Sequence, residues 1–87
     1  MYVGVLSVDL SIPCQETIKE RRNVLRSIKD MVRKKFNVSI SEITEDDEVT
    51  SRAKIAVAAV SGDSSYLQSV LSNVLNLIES YHSEKFL

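Results

Sequence analysis

The chain has 87 residues, 44% of them hydrophobic and 26% charged, with two Gly, one Pro and one Cys. That is the composition of one small soluble domain, and a single Cys excludes both a disulfide framework and a thiolate zinc site. The net charge of −1 excludes a uniformly basic polyanion binder, yet residues 17–35 carry eight basic and two acidic side chains while residues 42–48 carry five acids and no base.

Residues 2–12 alternate. Tyr2, Leu6, Val8, Leu10 and Ile12 share one parity, and Val3, Val5, Ser7, Asp9 and Ser11 the other, the pattern of a half-buried strand ended by Pro13. The same stretch lacks the basic leader of a signal peptide, no apolar run approaches the roughly 20 residues of a transmembrane helix, and an unpaired thiol suits a reducing compartment. A cytoplasmic protein with no membrane contact is expected. Thr17 and Glu20 form a capping box before an apolar-periodic run, which predicts a helix from Ile18 to about Lys35. Its cationic last turn, Arg33, Lys34 and Lys35, complements the negative end of the helix dipole.

On this helix Ile18, Leu25, Ile28 and Val32 form an apolar stripe. Lys19, Arg22, Arg26, Lys29 and Arg33 fall beside it within an arc of about 80° that contains no acid. A merely solvated helix intersperses Glu with Lys at i,i+4, so this departure makes the five cations the candidate polyanion-binding residues. A solvated face is the plainer alternative. Arg21 falls amid the apolar stripe, and a structural role is expected for it, either snorkelling or pairing with an acid such as Asp9 or one of 42–48.

Phe36, Val38 and Ile40 alternate with Asn37, Ser39 and Ser41 as a second strand, and the acidic stretch 44–50 reads as a loop or hairpin tip. Residues 52–61 form a third strand, with Ile55, Val57 and Ala59 inward and Lys54, Ala56, Ala58 and Val60 outward. After the turn at Ser61-Gly62-Asp63, with Asp63 or Ser64 as cap, a last helix buries Leu67, Val70, Leu71, Val74, Leu75, Ile78 and Tyr81. The order β-α-β-β-α predicts an α+β, ferredoxin-like sandwich over the whole chain. Both helices cover one face of an antiparallel sheet, and the usual final strand is short or absent. The first strand is then an unprotected edge. The open face shows Val3, Val5, Ala56, Ala58 and Val60, the candidate interface of a homodimer formed through the sheet.

No catalytic constellation emerges, and no cofactor, metal or enzymatic activity is expected. The lone His82 has no acid partner in a recognisable motif. Cys14 lies near a helix start, where a thiolate can be activated, but it lacks a base or a C-x-x-C partner. The run Glu45-Asp46-Asp47-Glu48 lacks the spaced D-x-D-x-D-G frame of a calcium loop and reads as solvated. The third strand carries no aromatic residue on which RNA bases could stack. Contact with phosphates by the first helix is the remaining nucleic-acid route.

Taken together, MYVGVLSVDLSIP, TIKERRNVLRSIKD, KFNVSISE and RAKIAVAAVS resemble the bacterial YlxP-like family of unknown function, the DUF503 domain, from residue 1 to about 78. The resemblance implies a ferredoxin-like fold. Relatives' genes often neighbour those of transcription-elongation and translation-initiation factors, which implies a link to RNA or ribosomal particles. A helix motif of many relatives, SLKEKR, maps onto Thr17, Ile18, Lys19, Glu20, Arg21 and Arg22, and an NVSVAE stretch maps onto residues 37–42. This chain departs where relatives carry His and Trp before the third strand, having TEDDEVTS there, and where many continue into a fourth strand. No catalytic residue carries over. The leading expectation is an RNA- or ribosome-associated binding protein. The alternative is a protein-interaction module, a structural dimer without a nucleic-acid role.

Overall fold

A computed structural model describes residues 1–12, 18–43 and 52–86. Thr17 of the capping box, Cys14, the side chain of Ile18 and the acidic stretch 44–50 lie outside the described residues. The elements follow in the order β1 (Tyr2–Ser11), α1 (Ile18–Lys35), β2 (Ser39–Glu42), β3 (Arg52–Ser61) and α2 (Ser64–Phe86). The strands form one antiparallel sheet in the order β1-β3-β2, the ferredoxin-like arrangement expected. Because β3 lies between the other two, β1 is an edge among the described strands.

Register sets the two faces. Val8 lies opposite Ile55, Leu6 opposite Val57, and Ile40 opposite Val57 on the other side. Directly opposed residues share a face, so these side chains form one continuous apolar floor. Val24, Leu25, Ile28 and Val32 of α1 close it from above, as do Leu67, Val74 and Ile78 of α2. Ile28, Val32, Ile55, Val57, Val74 and Ile78 are all fully buried. Such periodic apolar stripes hold both helices on one face of the sheet. At Gly4 the backbone comes so close to α2 that a Cβ would lie 2.6 Å from Leu71 Cδ1 and 3.2 Å from Leu67 Cδ2. A strand residue with a Cβ would force the Leu71 side chain to turn aside, and Gly leaves that space to it.

Local chemistry explains the element ends. Asp63 Oδ1 accepts from the backbone N–H groups of Ser65 (2.9 Å) and Tyr66 (3.1 Å), which caps α2 at its start. At the C-terminus of α1 the N–H of Phe36 still donates to Val32 O at 2.9 Å. Residue 36 is therefore held in a helical turn, and β2 begins only at Ser39 rather than at Phe36 as the alternation suggests. Phe36 and Val38 pack against the core without joining the ladder. Helix α2 runs to Phe86, leaving no room for a further strand among the described residues, as expected. There His82 Nε2 donates to Ser11 O at 2.6 Å, and its ring meets Phe86 at a centroid distance of 5.2 Å. The hydrogen bond ties the last turns of α2 to the end of β1, and the ring contact lies within α2 itself. Tyr2, read as a core or sheet-edge residue, is half exposed at 50%. It lies opposite Ser61, at the start of the edge strand.

Candidate polyanion-binding surface

Helix α1 turns three kinds of side chain in three directions. Its apolar stripe enters the core. A second flank, carrying Glu20, Asn23 and Ser27, lies along α2, where with Val24, Tyr81 and Lys85 it lines a groove of about 320 Å³. The third direction is the cationic arc, which faces outward and toward β2. Lys19, Arg22, Arg26 and Arg33 are exposed and Lys29 is half-buried, so the structure brings all five predicted cations onto one flank.

Arg33 differs from the rest because its Nη2 donates to Ile40 O at 3.1 Å. It therefore ties the last turn of α1 to β2 while remaining exposed, and it fixes the direction in which the arc points. Lys29 lies nearest the core stripe, where its aliphatic stem covers apolar surface beneath the ammonium group. Arg21 stands apart from the arc, half-buried, with Nη2 donating to Arg52 O at 2.8 Å. That bond joins the start of α1 to the start of β3, a structural role of the kind expected. An arginine carrying such a bond is less available to a phosphate than Lys19, Arg22 or Arg26.

The open face of the sheet is the second surface. Val3 lies opposite Val60 and Val5 opposite Ala58, and beyond them Asp9 lies opposite Lys54. Val3, Val5 and Val60 are 63%, 70% and 65% exposed, while Ala56 and Ala58 are half-buried on the central strand. The five predicted interface residues thus share one surface. The alternation did not by itself single out Ser39 and Ser41, which lie opposite Ala58 and Ala56 and complete that surface on the β2 side. Their parity in the second strand carried the signal.

His82 spends its Nε2–H on a backbone carbonyl, which gives it a tethering role. Among the described residues no three His, Cys, Asp or Glu side chains converge in a way that could hold a metal ion. No helix among those residues is long and apolar enough to cross a membrane.

Sequence comparison is consistent with this architecture. A family model described as "Protein of unknown function (DUF503)" matches residues 3–87, from β1 to the end of α2. The Bacillus subtilis (strain 168) "Uncharacterized protein YlxP" is similar too, 42% identical over 79 residues that cover 91% of this chain and 85% of that protein. No solved structure matches. A match that takes in every strand and helix, together with a relative this similar over nearly the full length, shows that the chain belongs to the DUF503 family.

Proposed function

We propose that this protein is a non-enzymatic cytoplasmic binding protein that engages RNA, free or within ribosomal particles, through the cationic flank of α1. One observation carries the reading: Lys19, Arg22, Arg26 and Arg33 stand exposed on one side of a helix whose opposite side is locked into the core, in a chain whose net charge is −1. Cations mounted on a helix backbone that is fixed by its core face can meet phosphates with less backbone freedom lost on contact than cations on a loose segment. The remainder of the chain, being net acidic, orients the approach and suppresses indiscriminate binding.

Salt dependence tests it. Neutralising about five phosphates gives a log–log slope of affinity against salt of roughly −3.5 to −4.5. Titration of a fluorescent structured RNA at four or more salt concentrations is expected to return that slope. Binding that is absent, or flat with salt, would end the reading. A second reading, from a different class, is a protein-interaction module that meets a second copy of the chain through its sheet. The exposed valines of the open face favour it. Affinity capture with and without nuclease separates the two: partners lost on digestion belong to the RNA reading, and partners retained belong to the protein module.

A further inference from the structure

The open face of the sheet carries no aromatic side chain. One stands instead at the end of the sandwich, where α1 and β3 stop and α2 starts, and these three ends line a pocket of about 130 Å³. Tyr66 lines it from the first turn of α2 and is 63% exposed, the most exposed of the described aromatic residues. Its backbone is fixed, because its N–H donates to Asp63 Oδ1 at 3.1 Å. Phe36 and Val70, both packed against the core, add apolar lining. Asn37 and Ser61 add polar groups. The first supplies an amide that donates and accepts. The second supplies a hydroxyl whose oxygen accepts from the Asp63 N–H at 3.1 Å and whose hydrogen is left to donate. The lining holds one cation, Lys35, and no acid. The carboxylate of Asp63, on the turn before α2, is engaged by the N–H groups of Ser65 and Tyr66.

We infer that this pocket takes one unpaired, single-ring base of an RNA strand whose phosphates lie on α1. The site rests on the RNA reading of the α1 flank, and it names the part of the RNA that is recognised. Size selects the base. An apolar cavity of ~150 Å³ admits one benzene ring, so a pocket of about 130 Å³ suits a pyrimidine and is small for the fused rings of a purine. Chemistry selects a nucleotide. A base has an apolar face that stacks on a tyrosine ring and a polar edge of donors and acceptors, which Asn37 and Ser61 match, while its phosphate meets Lys35. The groove between α1 and α2 lacks this preference, because Glu20 and Lys85 both line it and carry opposite charges. Position joins the pocket to the flank. Arg33, Lys34 and Lys35 follow one another at steps of about 100° around the last turn of α1, so cations lead from the outer arc to the pocket. A paired base has its faces and edge covered by its neighbours and cannot enter, so the site reads unpaired nucleotides.

Fluorescence anisotropy with the full chain and two RNAs of equal phosphate number, a single-stranded oligouridylate and a blunt duplex, tests the site. Tyr66→Ala is expected to weaken binding of the oligouridylate about tenfold or more, and to leave duplex binding within about twofold of the wild type. The log–log salt slope should not change, because stacking releases no counterion. Tyr66→Phe, which keeps the ring, is expected to bind as the wild type does. Both variants should keep the far-UV circular dichroism of the wild type, since the side chain is exposed and the helix cap uses only the main-chain N–H. The slope of the wild type scores the α1 flank separately. A wild type with the expected slope whose oligouridylate affinity is indifferent to Tyr66→Ala overturns the pocket and leaves the flank standing. Equal weakening on both RNAs also overturns the pocket. A wild type that binds neither RNA overturns both.

Discussion

Replacing Ile55 by Ala is expected to lower the free energy of unfolding by about 2–5 kcal/mol, the largest effect of any single side-chain truncation in this fold. Ile55 is 0% exposed and stands at the middle of the three-stranded sheet, opposite Val8 on β1 and Glu42 on β2, with both helices above it. A residue this deep in the core leaves a cavity into which its surroundings relax only in part, so the cavity's cost adds to the lost transfer energy. A domain of 87 residues has a total stability of about 4–13 kcal/mol. The variant therefore loses between a sixth of that stability and all of it. Urea denaturation followed by circular dichroism checks this, with the midpoint displaced and the slope unchanged. A loss below about 1 kcal/mol would mean that the site is not closed as described.

The second large effect is on binding. The combined change of Arg22, Arg26 and Lys29 to Gln is expected to weaken binding to structured RNA about a hundredfold near 0.15 M salt and to make the log–log salt slope shallower by roughly 2–2.7. Each removes one counterion-releasing contact, worth about 0.7–0.9 in the slope. The fold should be indifferent, because Arg22 and Arg26 are exposed and Gln keeps most of the apolar stem that Lys29 lays against the core. Arg33 is left out because its loss would also remove the bond to Ile40 O and so confuse a binding effect with a loosening of β2. An unchanged slope would show that the phosphates are neutralised elsewhere.

Much of this architecture is legible from residue patterns, because most of its elements are held by strong local periodicity. Helix α1 spans Ile18–Lys35 as its apolar stripe and its cationic last turn indicate, and β3 spans Arg52–Ser61 as alternation indicates. The departure occurs where a neighbouring element overrides the alternation. Strand β2 starts late because the preceding helix keeps hold of Phe36. The tether from His82 to the carbonyl of Ser11, 71 residues away, is likewise beyond any local pattern. In the same way, the cationic arc was readable as an angle on a helical wheel. Its orientation toward β2, and the engagement of Arg33 with a backbone carbonyl there, depend on how α1 is laid across the sheet. The pairing of Val3 with Val60 and of Val5 with Ala58 on the open face depends on strand register, which no single strand's alternation specifies.

The central claim is that the outer flank of α1 is a nucleic-acid contact surface, and amide chemical-shift mapping tests it most directly. With ¹⁵N-labelled protein titrated with a structured RNA at low salt, the account predicts the largest perturbations along α1 at Lys19, Arg22, Arg26, Lys29 and Arg33, reversed on raising the salt, with Val3, Val5 and Ala58 unmoved. Saturating RNA that leaves those five amides in place, or perturbations centred on the sheet, would contradict it.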